Sequence, residues 1–137
     1  MTDRGVLDTS TLLLLGRIDD VAALPDVPRK TTVTLAELSV GSLVATSTSE
    51  RAARQAHLQA AESDFDPLPF DAAAARAFGA VSASLLRDGR KSAARSYDAM
   101  IAATAIANGL PVHTCNPGDF EGIDGLDVIA VRHPDHR

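Results

Sequence analysis

This sequence is short of most features that would settle a function by composition. It has one cysteine, Cys115, so no disulfide can form within the chain and a disulfide-stapled secreted scaffold is excluded. A lone thiol fits a reducing compartment, and the expected location is cytoplasmic. Tryptophan is absent, with four Phe and one Tyr among 137 residues. So few rings offer little for stacking single-stranded bases. No apolar run approaches the roughly 20 residues of a membrane span; Leu12–Leu15 stops at Gly16 and Arg17. Asp3 and Arg4 open the chain, which is not the pattern of a secretory leader. Lysine occurs only at positions 30 and 91, and the formal net charge is −5, the wrong sign for a general nucleic-acid coat. An enzyme that cuts nucleic acid is not excluded, because cations bound by clustered carboxylates restore positive potential locally. There is no P-loop, no G-x-G-x-x-G and no G-x-S-x-G.

What is present is an ordinary soluble balance, 45% apolar and 23% charged, in a length that buries a core without staples. One domain is expected over residues 1–132, followed by a mobile tail at 133–137. The elements alternate. Val6-Leu7-Asp8 reads as a short buried strand feeding a helix over Thr9–Leu15. Thr32-Val33 reads as a second strand, running into a helix over 34–45. A helix follows over 49–63, rich in good helix formers. Pro67–Phe70 is at most an edge strand, since proline donates nothing to a ladder. Asp71 is placed to cap a long alanine-rich helix to Asp88, and 89–95 is a polar loop. Ser96 is placed to cap a helix over 97–108, which Gly109 closes and Pro111 keeps from resuming. Val112–Thr114 and Val128–Val131 complete the strands. Short apolar strands alternating with helices predict an α/β fold, a parallel sheet covered on both faces.

Four isolated acids stand out in that frame: Asp8 in GVLDTS, Glu37 in TLAEL, Asp98 in SYDAMIAATA and Asp119 in HTCNPGDF. In open α/β sheets, sites form beyond the carboxyl ends of the strands. Asp8 ends the first strand, Asp119 follows the fourth, and Glu37 and Asp98 start helices at the same rim. Each has a plainer reading. Asp8 and Asp98 suit a helix start, where an acid caps or meets the macrodipole. Asp119 lies in the turn Asn116-Pro117-Gly118-Asp119. Glu37 is harder to place as a solvated charge, since Val40, Gly41 and Val44 share its helical face. Charges are rarely buried unless paired or bound to a metal, and together the acids point to a cation site. An oxygen-only donor set suits Mg²⁺ or Mn²⁺ rather than zinc. Such a site activates water and neutralises charge on a phosphate ester. The hydroxyls of Thr9, Ser10 and Thr114 are placed to orient the carboxylates. Arg87, Arg90, Lys91 and Arg95 cluster before Asp98, either as a solvated loop or as a patch facing RNA phosphates, with Arg90, Lys91 and Arg95 the candidates. His133 and His136 with Asp135, in the tail, and Cys115 with His113 are weaker constellations.

The runs VLDTSTLL, VTLAELSVG, YDAMIAATA and T-x-N-x-x-D-F resemble, in order and spacing, the four motifs of the PIN domain. The likeness is to the small VapC-like toxins of bacterial toxin–antitoxin pairs, and it spans about Val6 to Phe120. The resemblance implies a three-layer α/β/α domain around a short-stranded central parallel sheet. It implies that Asp8, Glu37, Asp98 and Asp119 bind metal and that the chain is a Mg²⁺- or Mn²⁺-dependent endoribonuclease, an activated water attacking the scissile phosphate in line. Thr114 and Ser10 match the polar positions beside the metal. Asn116 matches a position that is Asn or Asp in relatives, and as Asn it adds no charge. Pro117-Gly118 departs from the usual last motif. The resemblance further implies a homodimer, RNA as substrate, and a cognate antitoxin through which alone DNA would be met. Two rivals remain: a magnesium-dependent phosphatase on a similar sheet, whose usual D-x-D is broken here by Ser10, and a non-catalytic RNA- or partner-binding domain.

Overall fold

The computed structural model describes residues 4–63, 66–89 and 95–136. Its sheet has four parallel strands in the order β2-β1-β3-β4, where β1 is Arg4–Leu7, β2 Val27–Arg29, β3 Val112–Thr114 and β4 Val128–Ala130. Val6 and Leu7 pair with Val112 and His113, so the two central strands are the most buried ones. Chain order reverses between β1 and β3, and the crevice beyond their carboxyl ends is where an open α/β sheet forms its site. The α-helices among the described residues are α1 (Thr9–Leu14), α2 (Thr32–Leu43), α3 (Thr48–Glu62), α4 (Ala72–Arg87) and α5 (Ser96–Ala107).

The two faces of the sheet bury different clusters, as alternating side chains must. On one, Val6 and Val112 meet Val33 of α2, Val81 and Leu85 of α4, Ala99, Ile101 and Ala102 of α5, and Phe120. Helix α5 is alanine-rich and apolar nearly all round, and it is buried in this cluster with α4 as its main neighbour. On the other face, Ile18, Cys115 and Val131 pack with Leu14, Ala23 and Leu24. Leu38 of α2 packs separately on Leu58 and Ala61 of α3. This is the expected three-layer α/β/α arrangement. Among the described residues, no helix is long and apolar enough to cross a membrane.

Several elements differ from the sequence reading. The second strand is Val27–Arg29, and Thr32-Val33 belong instead to the first turn of α2. The Thr31 hydroxyl accepts from the Thr34 amide at 3.2 Å, and this cap starts the helix early. Pro28 had masked the strand; it is tolerated because β2 is the sheet edge. Pro67–Phe70 is not a strand: only Leu68 bridges, to Thr31. Ser96 is the first residue of α5 rather than its cap, and Arg95 holds the cap position without a side-chain cap bond. The cap at Asp71 is as expected, its carboxylate accepting from the Ala74 amide at 3.0 Å. Gly109 ends α5 at φ 65°, a conformation glycine adopts without strain. In the tail, Asp135 accepts from Arg17 at 2.6 Å, and the Arg132 amide donates to Asp20 at 2.9 Å.

One close approach fixes the middle of the sheet. His113 lies buried across β1, its Nδ1–H donating to the Ala23 carbonyl at 2.6 Å. A methyl group at Gly5 would overlap the imidazole and come within 3.2 Å of the Pro25 Cβ. Gly5→Ala is therefore expected to cost about 1–3 kcal/mol as an overpacked core, read as a lower urea midpoint. A midpoint equal to that of wild type would show that the ring can move aside.

Candidate active site

The site grows from the end of β1. Asp8 occupies the cap position of α1, with no cap bond of full hydrogen-bond geometry, although the amide and hydroxyl of Thr11 lie near enough to favour its charged form. The carboxylate turns instead toward β3: Oδ2 accepts from Thr114 Oγ1 at 3.0 Å and from Ser10 Oγ at 3.2 Å. Its other oxygen, Oδ1, is buried without a hydrogen-bond partner. Asp8 is 2% exposed, and burial pushes its pKa up against the hydroxyls of Thr11, Thr114 and Ser10. A buried carboxylate with an idle oxygen costs free energy unless a cation or proton meets it.

The polar residues around Asp8 form one connected set. Thr114 Oγ1 also accepts from the Asn116 amide at 2.9 Å, and Asn116 Nδ2 donates to Ser10 Oγ at 3.0 Å. Thr9 Oγ1 donates to Glu37 Oε1 at 2.8 Å and lies 3.0 Å from Thr34 Oγ1, which ties α1 to the start of α2. Glu37 sits in the second turn of α2 rather than the first. The stripe it shares is not buried as its apolar character implied: Val40 is 45% and Val44 61% exposed. What holds Glu37 is the Thr9 hydroxyl. Sequence reasoning missed Thr34, Thr31 and Thr11, whose hydroxyls respectively meet Thr9, cap α2 and accept from the Cys115 amide at 2.9 Å. The only signal was the threonine-rich runs 31–34 and 9–11.

Asp98 is the third residue of α5, half-buried at the positive end of the helix. Its pKa is nonetheless raised to about 7, first by burial and then by the negative charges of Asp119, Asp8 and Glu37. All three therefore act on Asp98 at close enough range to oppose its ionisation, and among the described residues Arg95 pulls the other way. Asp119 lies in the tight turn Pro117–Phe120, its amide donating to the Asn116 carbonyl at 3.0 Å. Its carboxylate accepts from Arg95 Nη1 at 3.2 Å. Of the other basic candidates, Arg87 pairs with Asp124 at 2.8 Å, outside this set; Arg90 and Lys91 lie outside the described residues.

As they stand, no three Asp, Glu, His or Cys side chains among the described residues are close enough together to hold an ion, the pairs of the C-terminal tail included. The donor chemistry still fits a hard divalent cation: carboxylate oxygens only, one of them buried and idle, and an acid whose ionisation the others oppose. His113 and Cys115 are buried on the opposite face of the sheet from Val112, with no acid bonded to either side chain among the described residues.

Comparison with known proteins agrees with this fold. The PIN domain matches residues 5–126. Ribonuclease VapC5 of Mycobacterium tuberculosis (strain ATCC 25618 / H37Rv) is 43% identical over 129 residues, 93% of each chain. The crystal structure of VapBC-5 from Mycobacterium tuberculosis, a member of the VapBC family of toxin–antitoxin systems, superposes with a TM-score of 0.78 at 37% identity, covering 94% of this chain and 99% of that one. DNA-bound VapBC from Salmonella typhimurium gives 0.72 at 26% identity, covering 95% and 98%. A domain match over most of the chain, with a relative this similar end to end, means that the chain belongs to the PIN-domain family, within its VapC-like group.

Proposed function

We propose that this chain is a Mg²⁺- or Mn²⁺-dependent endoribonuclease and the toxin of a toxin–antitoxin pair. One observation carries the reading: Asp8, buried at the switch point of the sheet, keeps an unpartnered oxygen, and its charge, with those of Asp119 and Glu37, opposes the ionisation of Asp98. The name of the VapC5 relative supports ribonuclease activity. Asp8, Asp98, Glu37 and Asp119 would hold the cation. Bound there, it supplies Lewis acidity and an ionised water as nucleophile for a phosphodiester. The chain's own groups prepare that chemistry. Thr114 and Ser10 fix the Asp8 carboxylate, Thr9 fixes Glu37, and Asn116 holds Ser10 in place. Arg95, with Arg90 and Lys91 beside it in sequence, would meet RNA phosphates.

Structural neighbours solved as VapBC complexes support a cognate antitoxin as partner. So does the stripe Val40, Leu43 and Val44 at the end of α2, since apolar side chains this exposed at helical spacing mark a surface for another chain. A homodimer in the cytoplasm belongs to the same proposal. DNA would be met only through the antitoxin.

The test is cleavage of total cellular RNA with and without Mn²⁺, by wild type and Asp8→Asn in parallel. Discrete fragments that need both the metal and Asp8 are expected. A phosphoenzyme trapped on Asp8 would favour a phosphatase instead, and folded protein that cuts no RNA would return the chain to a binding role.

A further inference from the structure

The acids of this site sit on four elements, and among the described residues the guanidinium of Arg95 bonds one of them. Arg95 Nη1 lies 3.2 Å from Asp119 Oδ1, with the two side chains 31% and 45% exposed, so the pair is neither sealed in the core nor free in water. Its position on α5 is electrostatically unfavourable. Arg95 holds the cap position, next to the positive end of the helix dipole, and its side chain makes no cap bond there. The local helix gives a cation no reason to be at this point; the acids do. Its charge favours the ionised form of Asp98, against Asp119, Asp8 and Glu37.

We propose that Arg95 is a resident counter-cation of the acidic site, a positioning residue that holds Asp119 in the metal-free protein and must release it when a divalent cation binds. The proposal rests on the metal-site reading above and adds a competition within it. A cation entering the site gains Asp119 only as the guanidinium gives it up, so the protein's own charge sets a threshold for metal uptake. An exposed ion pair with no such role would contribute little to stability and nothing to metal affinity.

Calorimetric titration of the full chain with Mn²⁺, wild type against Arg95→Gln, separates the two. The Gln variant is expected to bind Mn²⁺ roughly tenfold more tightly, the effect of removing one competing charge from a partly screened site. Its metal-free melting temperature should fall and its rise on adding Mn²⁺ should be larger. Equal or weaker Mn²⁺ binding by the variant would overturn the counter-cation role while leaving the metal site standing. Absence of binding by either protein would overturn both. The wild type supplies a readout that no variant's folding can confound: the Arg95 Nε–H resonance, assigned by its loss in Arg95→Lys, should shift as Mg²⁺ is added. A resonance that stays fixed while Mg²⁺ binds overturns the proposal.

Discussion

Asp98→Asn is expected to lower RNA cleavage on the order of a thousandfold, the scale of removing one preorganised electrostatic contact to a transition state, while the fold persists. The substitution is nearly isosteric, so packing on α5 is unchanged and only charge is lost. It should also make the metal-free protein more stable at neutral pH. Asp98 ionises near its ordinary 3.8 in the unfolded chain but holds its proton to about 7 in the fold. Between those values the folded state binds more protons, so this group's contribution to stability falls as pH rises. The penalty is absent below about pH 4 and complete above about pH 7. Burial of Asp8 acts in the same direction. Urea midpoints of metal-free wild type and Asp98→Asn should therefore coincide near pH 4 and diverge in favour of the variant by pH 8. Saturating Mg²⁺ should narrow the gap by stabilising the wild type. A variant that cuts as well as wild type would remove Asp98 from the site. Curves that run parallel from pH 4 to 8 would remove the charge repulsion.

Phe120→Ala should be the most damaging single change outside the acids. Phe120 is 1% exposed and joins the cluster that unites Val6, Val112 and α5. Truncating a buried phenylalanine costs about 3–5 kcal/mol through lost burial and the cavity left behind, against a total stability of about 5–15 kcal/mol for a domain. The ring also anchors the turn Pro117–Phe120 that carries Asp119, so the same change should loosen that acid. Phe120→Leu, which refills most of the volume, should recover most of the stability. A loss below about 1 kcal/mol for the alanine variant would mean that the turn is not held by its ring.

The parts of this molecule legible in its sequence are those where one physical cause dominates. Val6-Leu7 and Val112 are apolar and central, and their burial left no competing interpretation. Asp71, Gly109 and the alanine-rich run of α5 each obey a local rule that the fold does not override. The second strand was misplaced because Val27-Pro28-Arg29 lacks every mark of a buried strand; it is an edge, and Val27 is 47% exposed. Thr32-Val33 looked like a strand through β-branched residues, but the Thr31 cap decided for helix. For the acids, their places at strand ends and helix starts were readable. The interactions that aim them were not, because Thr9 to Glu37 and Thr114 to Asp8 join residues 28 and 106 positions apart. Arg95 could be suspected of facing phosphate from its neighbours in sequence, but its bond to Asp119 depends on how α5 and the last turn meet.

The most direct test of the metal-site account is the anomalous diffraction of crystals soaked in Mn²⁺. The account predicts a peak within coordinating distance of the Asp8 and Asp98 carboxylates, with Asp8 Oδ1 among the ligands and Arg95 moved off Asp119. Well-diffracting crystals at saturating Mn²⁺ with no peak there, or with the ion elsewhere, would contradict it.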